Sequence, residues 1–295
     1  YFFIPGLCRP EVGMGSTYKI QKLIKFRKFN SNVYVLKFPK NNYRIDMSFG
    51  DYGNFENVEK LERVSDVFGE AMLDEVVVGR INYGFFQPKT SSQNISEHIG
   101  GAWDGDVGWR NYVSDNDFLD AIYTFDGELI IDDIRTQEIA NYYDSISAWN
   151  GAISYPLIVN GAVNGTIPPS MANNYGALHP RSLAGQDAEG NFYFVAVDGR
   201  KADTIGVNGL QASSIMADLG CVNAFNCDGG GSTIIKLYDD TLNRPSDGTE
   251  RYVGTTLLAY EKYDYKTLPV ISKDNKGVYT HLLQRLIGSI NNGTA

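Results

Sequence analysis

The residues best suited to chemistry form one run that follows an apolar segment, Asn226-Cys227-Asp228-Gly229-Gly230-Gly231-Ser232-Thr233. Three consecutive glycines permit backbone torsions that other residues avoid, and they let main-chain N–H groups approach an anion closely. The aspartate would stand at the end of a strand and face whatever the turn lines. A glycine-rich hairpin with a turn aspartate explains the same residues equally well. The run is not a nucleotide P-loop, because no Gly-x-x-x-x-Gly-Lys-Ser/Thr pattern is present.

A second charged pair follows another apolar run. Asp198 and Arg200 come directly after Phe192–Val197. Residues two apart on a strand point to the same side, so the two side chains are predicted to share a ligand. A surface ion pair at a turn is the simpler interpretation.

Three further segments place polar residues beside predicted strands. Arg181 opens one strand, Asn82 ends another, and Glu250-Arg251 precede a third. Taken singly, these are ordinary charged residues or a polar position beside an aromatic core. Serine hydrolase chemistry is disfavoured, because the chain has no Gly-x-Ser-x-Gly elbow and only three histidines.

Composition excludes several classes of protein. The net charge of −9 argues against a sequence-independent nucleic-acid binder. No apolar run approaches the ~20 residues that a membrane-spanning helix needs. Three cysteines without a C-x-x-C pair indicate neither a disulfide framework nor structural zinc. The sequence requires no cofactor, and it does not decide whether a divalent metal is needed.

The pattern of apolar residues predicts the elements that position these groups. Strands and hairpins outnumber helices, so the fold class is α+β, with mixed or antiparallel sheets built from hairpins and flanked by helices. The predicted strands and hairpins cover 32–39, 43–50, 75–86, 120–133, 153–161, 181–200, 221–226 and 253–260. Helices are predicted over about 57–75, 137–150 and 208–220, and a long loop that covers a site over 87–116.

The chain is predicted to contain a single main domain. Residues 1–31 form an N-terminal extension or connector, 32–264 a catalytic domain, and 265–295 a linker with a helical tail. The stretch 268–288 is loosely similar to the start of a peptidoglycan-binding helical module, although a plain amphipathic helix explains it as well.

Taken in chain order, the segments INYGFF, SYPLIVNG, HPRSLAG, FYFVAVDGR, MADLGC, NAFNCDGGGST and ERYVGTTLLAY resemble the phosphodiester glycosidase family. The resemblance spans about residues 32–262. Two positions depart from the family pattern. Tyr83 stands where the family usually has glycine, and Cys227 replaces the usual leucine before the aspartate. Both changes leave the polar groups in place.

The resemblance implies cleavage of a sugar C1–O bond with a phosphodiester as the leaving group. Arg181 and Arg200 would hold the phosphate, and Asp228 would be the nucleophile or base at C1. Asp198 would orient an arginine or share the carboxylate role, and Asn82 would position sugar or phosphate oxygens. The phosphate would also be bound by main-chain and hydroxyl groups of Gly229, Gly230, Gly231, Ser232 and Thr233, with Glu250 and Arg251 as secondary candidates.

The expected partner is therefore a phosphorylated glycan, for example a wall polymer such as a teichoic acid, outside the cell or on a phage virion. A binding module that holds such a glycan without hydrolysing it is the alternative. A metal-dependent phosphodiesterase that cuts the P–O bond is a third possibility. The oligomeric state is not predicted.

Overall fold

The computed structural model describes residues 23–49, 60–67, 75–90, 95–98, 102–103, 108–109, 119–134, 136–153, 155–167, 169 and 172–262. Predictions for residues 1–22 and for the helical tail 265–295 lie outside the described residues. The division into three segments stays a prediction.

Strands dominate the described chain. They are β1 (Ile24–Lys28), β2 (Ser31–Phe38), β3 (Tyr43–Phe49), β4 (Glu62–Arg63), β5 (Glu75–Asn82), β6 (Phe86–Thr90), β7 (Ile95–His98), β8 (Ala102–Trp103), β9 (Gly108–Trp109), β10 (Leu119–Thr124), β11 (Leu129–Asp132), β12 (Ser147–Ile153), β13 (Tyr155–Val159), β14 (Ala162–Val163), β15 (Arg181–Asp187), β16 (Phe192–Val197), β17 (Cys221–Asn226), β18 (Ile235–Leu237), β19 (Asp240–Thr241), β20 (Tyr252–Val253) and β21 (Thr255–Lys262). The helices are α1 (Gln137–Ile146), α2 (Ala172–Tyr175) and α3 (Gly209–Asp218).

The largest sheet has seven strands in the order β1-β2-β16-β15-β17-β13-β14. Its strands β15 and β16 form the predicted hairpin, with Gly190 at φ +82° in the turn. All six residues of β16 are buried. A strand that is covered on both faces can be apolar throughout rather than alternating, which explains the continuous run FYFVAV.

Two five-stranded sheets complete the core, in the orders β19-β18-β5-β21-β3 and β11-β10-β12-β8-β9. Side chains of β2, β3, β10, β12 and β16 share one hydrophobic cluster, in which Trp149 is fully buried and its ring stacks on Tyr123. This cluster joins one face of the seven-stranded sheet to the other two sheets.

The second face of the large sheet is covered by α3, which packs Ala212, Ile215 and Met216 against the sheet. Asn208 begins the helix with a capping box, in which its side chain and that of Gln211 each bond the other residue's main chain. Gly220 follows the helix at φ +82°, and the helix ends there as predicted from the glycine in the sequence.

The prediction of an α+β fold is confirmed in part, because the fold is richer in sheet than a balanced α+β protein.

The helix predicted over 57–75 is wrong for the residues described. Lys60–Val67 hold the short strand β4, which pairs with β20, and a turn. Val64 there packs against Ile234 and Val253, so the apolar spacing reflects contacts of a strand and turn. The loop predicted over 87–116 is also corrected, since β6 to β9 lie within or overlap it.

Within the described residues, none of the helices combines the length and the apolar character needed to cross a membrane.

Candidate active site

The ends of β5, β15 and β17 meet at Asp228. Its N–H donates to the carbonyl of Tyr83 at 2.7 Å, and its own carbonyl accepts from Asn82 Nδ2 at 2.7 Å. Asn82 Oδ1 accepts from Ser182 Oγ at 2.6 Å and from the Ile234 N–H at 3.1 Å. The fully buried Asn82 side chain therefore links two sheets to the segment that carries the aspartate.

The triple-glycine run folds as a single 3₁₀ turn, Gly230–Ser232. The N–H groups of Gly229, Gly230, Ser232 and Thr233 donate to Asp228 Oδ1 and to the carbonyls of Pro180, Gly229 and Gly230, respectively. Among the described contacts, only the Gly231 N–H of this run has no acceptor. The prediction that the whole run offers main-chain donors to a phosphate is corrected, because four of these donors hold the turn itself together.

Three buried polar atoms near this turn have no hydrogen-bond partner among the described residues: Asn226 Oδ1, Ser232 Oγ and Thr233 Oγ1. Their side chains are all about 1% exposed. Leaving a buried hydroxyl or amide unpaired costs ~1–3 kcal/mol, so such groups normally have a partner in the functional state. Three of them within eight residues make this turn a candidate binding site.

The Asp228 carboxyl is partly buried. Burial raises its pKa to about 6, against the lowering effects of Ser232, the Gly229 N–H and the charge of Arg251. Ser232 Oγ thus lies near the carboxyl, although it makes no aligned hydrogen bond to it. A carboxyl with this pKa is ionised at neutral pH and is more basic than an ordinary aspartate, which suits a nucleophile or general base.

Arg181 is 4% exposed and forms no ion pair with a carboxylate among the described residues. Its Nε donates to the Val207 carbonyl at 3.1 Å, and Nη2 donates to the carbonyls of Asn174 and Ala177. The guanidinium also lies over the Tyr175 ring, 4.9 Å from its centroid. Burial and the neighbouring charge of Arg200 lower the Arg181 pKa to about 10, so it stays cationic at neutral pH. A buried cation held only by neutral groups is prepared for an anionic ligand.

Arg200 also lies beside the turn, where its guanidinium packs against Gly230. A Cβ on Gly230 would come 2.9 Å from Arg200 Nη2. Arg200 is exposed and has φ +58°, and strand β16 already ends at Val197, so neither Asp198 nor Arg200 belongs to the strand. The expectation that Asp198 and Arg200 face one ligand from the same side of a strand fails for this reason.

Arg251 forms an ion pair with Asp247 directly above Gly231. A Cβ on that glycine would come 2.2 Å from Arg251 Nη2. Arg251 is therefore adjacent to the turn, and its charge lowers the pKa of Asp228.

The structure places two predicted site residues elsewhere. Asp198 accepts hydrogen bonds from Asn32, Tyr34 and the Arg244 N–H, so it orients Arg244 rather than Arg181 or Arg200. Glu250 accepts from the N–H and hydroxyl of Ser65, and it thereby holds the turn after β4.

Two site residues were missed from the sequence. His179 Nδ1 lies 3.3 Å from Arg200 Nη2, and Tyr175 stacks against both Arg181 and Tyr155. Burial, aided by the charge of Asp228, raises the Tyr175 pKa. The sequence feature that could have indicated His179 is its position two residues before Arg181. Tyr175 precedes the strand by six residues and carried no signal.

The triple-glycine turn thus has Asp228, Arg181, Arg200 and Arg251 as neighbours. The described residues include no cluster of three or more His, Cys, Asp or Glu arranged to hold a metal ion.

The overall fold is similar to the catalytic domain of zebrafish N-acetylglucosamine-1-phosphodiester alpha-N-acetylglucosaminidase, auto-inhibited by its pro-peptide (TM-score 0.59, 18% identity, 80% of this chain and 81% of that chain). It is also similar to a hypothetical protein from Synechocystis (TM-score 0.55, 14% identity, 81% of this chain and 61% of that chain). At these identities the likeness concerns the fold.

A prophage-derived protein of Bacillus subtilis strain 168, YomE from SPbeta, is 34% identical over 109 residues. The match covers 37% of this chain and 17% of that protein. The phosphodiester glycosidase family model matches residues 75–260, which include Asn82, Arg181, Arg200, Asp228 and Arg251. Because this match covers more than half of the 295 residues, the chain belongs to the phosphodiester glycosidase family.

Proposed function

We propose that this protein hydrolyses sugar-1-phosphodiesters by breaking the bond between the sugar C1 and the phosphate oxygen. Family membership suggests this activity. The observation that carries the proposal is that Asp228, Arg181 and Arg200 all lie beside the triple-glycine turn. Among the described residues, neither arginine forms an ion pair with a carboxylate.

The chemistry follows from the leaving group. When the C1–O bond breaks, its electron pair stays on the phosphate oxygen, and the phosphodiester leaves as a phosphate monoester. A phosphate is a good leaving group, so the site needs charge stabilisation more than a strong general acid. Arg181 and Arg200 supply positive charge, and the Gly231 N–H supplies a donor.

Asp228 then acts at C1. Above pH 6 its ionised carboxylate either attacks the carbon or removes a proton from the water that attacks it. Asn82 acts through Asp228 as a positioning residue, because its oxygen already accepts two hydrogen bonds and its amide holds the Asp228 carbonyl. The sequence had suggested that Asn82 contacts sugar or phosphate oxygens directly, and we replace that role with the positioning of Asp228.

We assign the substrate to phosphate-linked glycans, with wall polymers such as teichoic acids as the first candidates, and the site of action to the cell exterior or a virion. A prophage-derived relative supports the location on a virion or at the cell exterior. A structural relative from Burkholderia pseudomallei that is described as exported also supports it (TM-score 0.50, 15% identity, 78% of this chain and 74% of that chain).

The test uses the purified chain with glycosyl-1-phosphodiesters of several sugars and with teichoic acid. Wild type should release free reducing sugar, whereas Asp228→Asn should lose at least ~10³-fold in kcat/KM. Asp218→Asn is the matched control, because this exposed carboxylate pairs with Lys28 away from the turn. Intact ligand retained without release of sugar would identify a binding module instead.

A further inference from the structure

His179 is held rigidly beside the triple-glycine turn. Its N–H donates to the Val207 carbonyl at 3.2 Å, and its carbonyl accepts from the Val207 N–H at 3.0 Å. Gly206, at φ +97°, packs so closely that a Cβ there would come 2.5 Å from the His179 carbonyl. The next residue, Pro180, accepts the Gly230 N–H at 2.9 Å. The backbone on both sides of the imidazole is therefore fixed to the site.

The contact with Arg200 defines the protonation of the ring. Nδ1 of His179 lies 3.3 Å from Arg200 Nη2, and an arginine only donates hydrogen bonds, so a hydrogen bond at this contact requires an Nδ1 without a proton. The single ring proton is then on Nε2. His179 is thus a neutral imidazole that offers one N–H donor.

Burial and the neighbouring positive charges favour a neutral imidazole ring. Burial first, and then the positive charges of Arg181 and Arg200, lower the His179 pKa. Protonation would place a third cation beside two arginines. A neutral donor in this position adds a hydrogen bond without adding charge.

We propose that His179 is a further catalytic residue, whose Nε2–H donates a hydrogen bond to an oxygen of the departing phosphate. The proposal rests on the proposed function. The geometry that carries it is the fixed position of His179, whose Nδ1 contacts Arg200 beside a turn where buried polar groups have no partner among the described residues. The negative charge on the phosphate oxygens grows as the C1–O bond breaks. The hydrogen bond from His179 Nε2 to one of these oxygens should therefore be stronger in the transition state than in the ground state.

Two amide variants separate this role from a merely structural one. In His179→Asn the side-chain oxygen can replace Nδ1 and accept from Arg200, but the Nε2 donor is lost. In His179→Gln the amide can reach the position of Nε2 and donate. We expect kcat/KM to fall ~30-fold or more in His179→Asn and His179→Ala, mainly in kcat, and to stay within ~5-fold of wild type in His179→Gln. Wild-type activity in His179→Asn, or equal losses in the Gln and Asn variants, would overturn the proposal.

A measurement without turnover completes the test. The chain has three histidines, so ¹⁵N-histidine NMR gives a simple spectrum, and His179→Asn assigns the signal. The His179 signal should show the Nε2–H tautomer and should shift when inorganic phosphate is added. If the His179 signal does not shift with phosphate although the enzyme hydrolyses phosphodiesters, this inference alone is overturned. A phosphate-responsive signal in a chain without hydrolysis overturns the proposed function and leaves the phosphate contact standing.

Discussion

Asn82 donates a hydrogen bond from Nδ2 to the main-chain carbonyl of Asp228 at 2.7 Å, across 146 positions of sequence. Its oxygen simultaneously accepts from Ser182 and Ile234. One amide side chain thereby ties the ends of three chain segments together. The position of the Asp228 carboxyl depends on this link between sheets and not only on the glycine turn that follows it.

Replacing Asn82 should therefore affect both stability and activity. Asn82→Ala leaves the Ser182 hydroxyl, the Ile234 N–H and the Asp228 carbonyl without partners, which should cost about 3 kcal/mol of unfolding free energy. It should also lower kcat, because Asp228 is no longer held.

Asn223→Ala is the matched control for that change. Asn223 lies on β17, accepts from the Asn160 N–H and donates to the Leu129 carbonyl, both at 2.8 Å. It should lose stability in urea unfolding while keeping kcat. Equal losses of kcat in the two variants would contradict the positioning role of Asn82.

The acid limb of the pH profile should report Asp228. Its carboxyl must be ionised to act at C1, and its pKa is raised to about 6. In the free enzyme, kcat/KM should fall about tenfold for each pH unit below this value and level off above it. Steady-state rates between pH 4 and 8, at low substrate concentration, give this profile. A limb near pH 4 would show that an ordinary carboxyl, and not Asp228, controls the reaction.

The same pKa predicts how Asp228→Asn changes stability. The folded protein disfavours the ionised carboxylate, so the raised pKa stabilises the fold at low pH, and this stabilisation is lost as pH rises through 6. An asparagine does not titrate, and its oxygen can still accept from the Gly229 N–H. Asp228→Asn should therefore be more stable than wild type by about 2 kcal/mol at pH 8 and by much less near pH 4. Urea unfolding at the two pH values measures the difference, and a gap that grows on acidification would contradict the prediction.

Gly230→Ala should weaken substrate binding. Gly230 has φ +62°, and an added methyl group would displace the guanidinium of Arg200. The left-handed conformation should cost ~1–2 kcal/mol of stability, and the displaced arginine should raise KM about tenfold.

Gly220→Ala separates these two effects. Gly220 also has positive φ, at +82°, but a Cβ there meets no atom within 4 Å. It should lose similar stability with an unchanged KM. A KM that stays at the wild-type value in Gly230→Ala would show that Arg200 does not hold the phosphate.

Much of this architecture was predictable from local pattern. The hairpin at Gly190, the helix ended by Gly220 and the strand leading to Asp228 are all encoded by alternation and turn residues within short windows. The segment around Val64 was mispredicted as helix because its apolar spacing suits either element, and the pairing of β4 with β20 decides between them.

The site was only partly predictable, since its details depend on contacts between distant segments. The glycine run showed where an anion could bind, but not that its own amides hold the turn. Asp198 was assigned to the site from the family resemblance, and strand alternation suggested only that it could share a ligand with Arg200. The positive φ of Arg200 interrupts that alternation. His179 was overlooked because its importance comes from Arg200, 21 positions later in the chain.

The central claim is that the bond broken is C1–O, with Asp228 acting at the sugar carbon. Hydrolysis of a glycosyl-1-phosphodiester in ¹⁸O-labelled water, followed by mass spectrometry of both products, tests it most directly. The account predicts that wild type places the label on the released sugar and leaves the phosphate monoester unlabelled. Label in the phosphate would show that the P–O bond is cut, which contradicts the account.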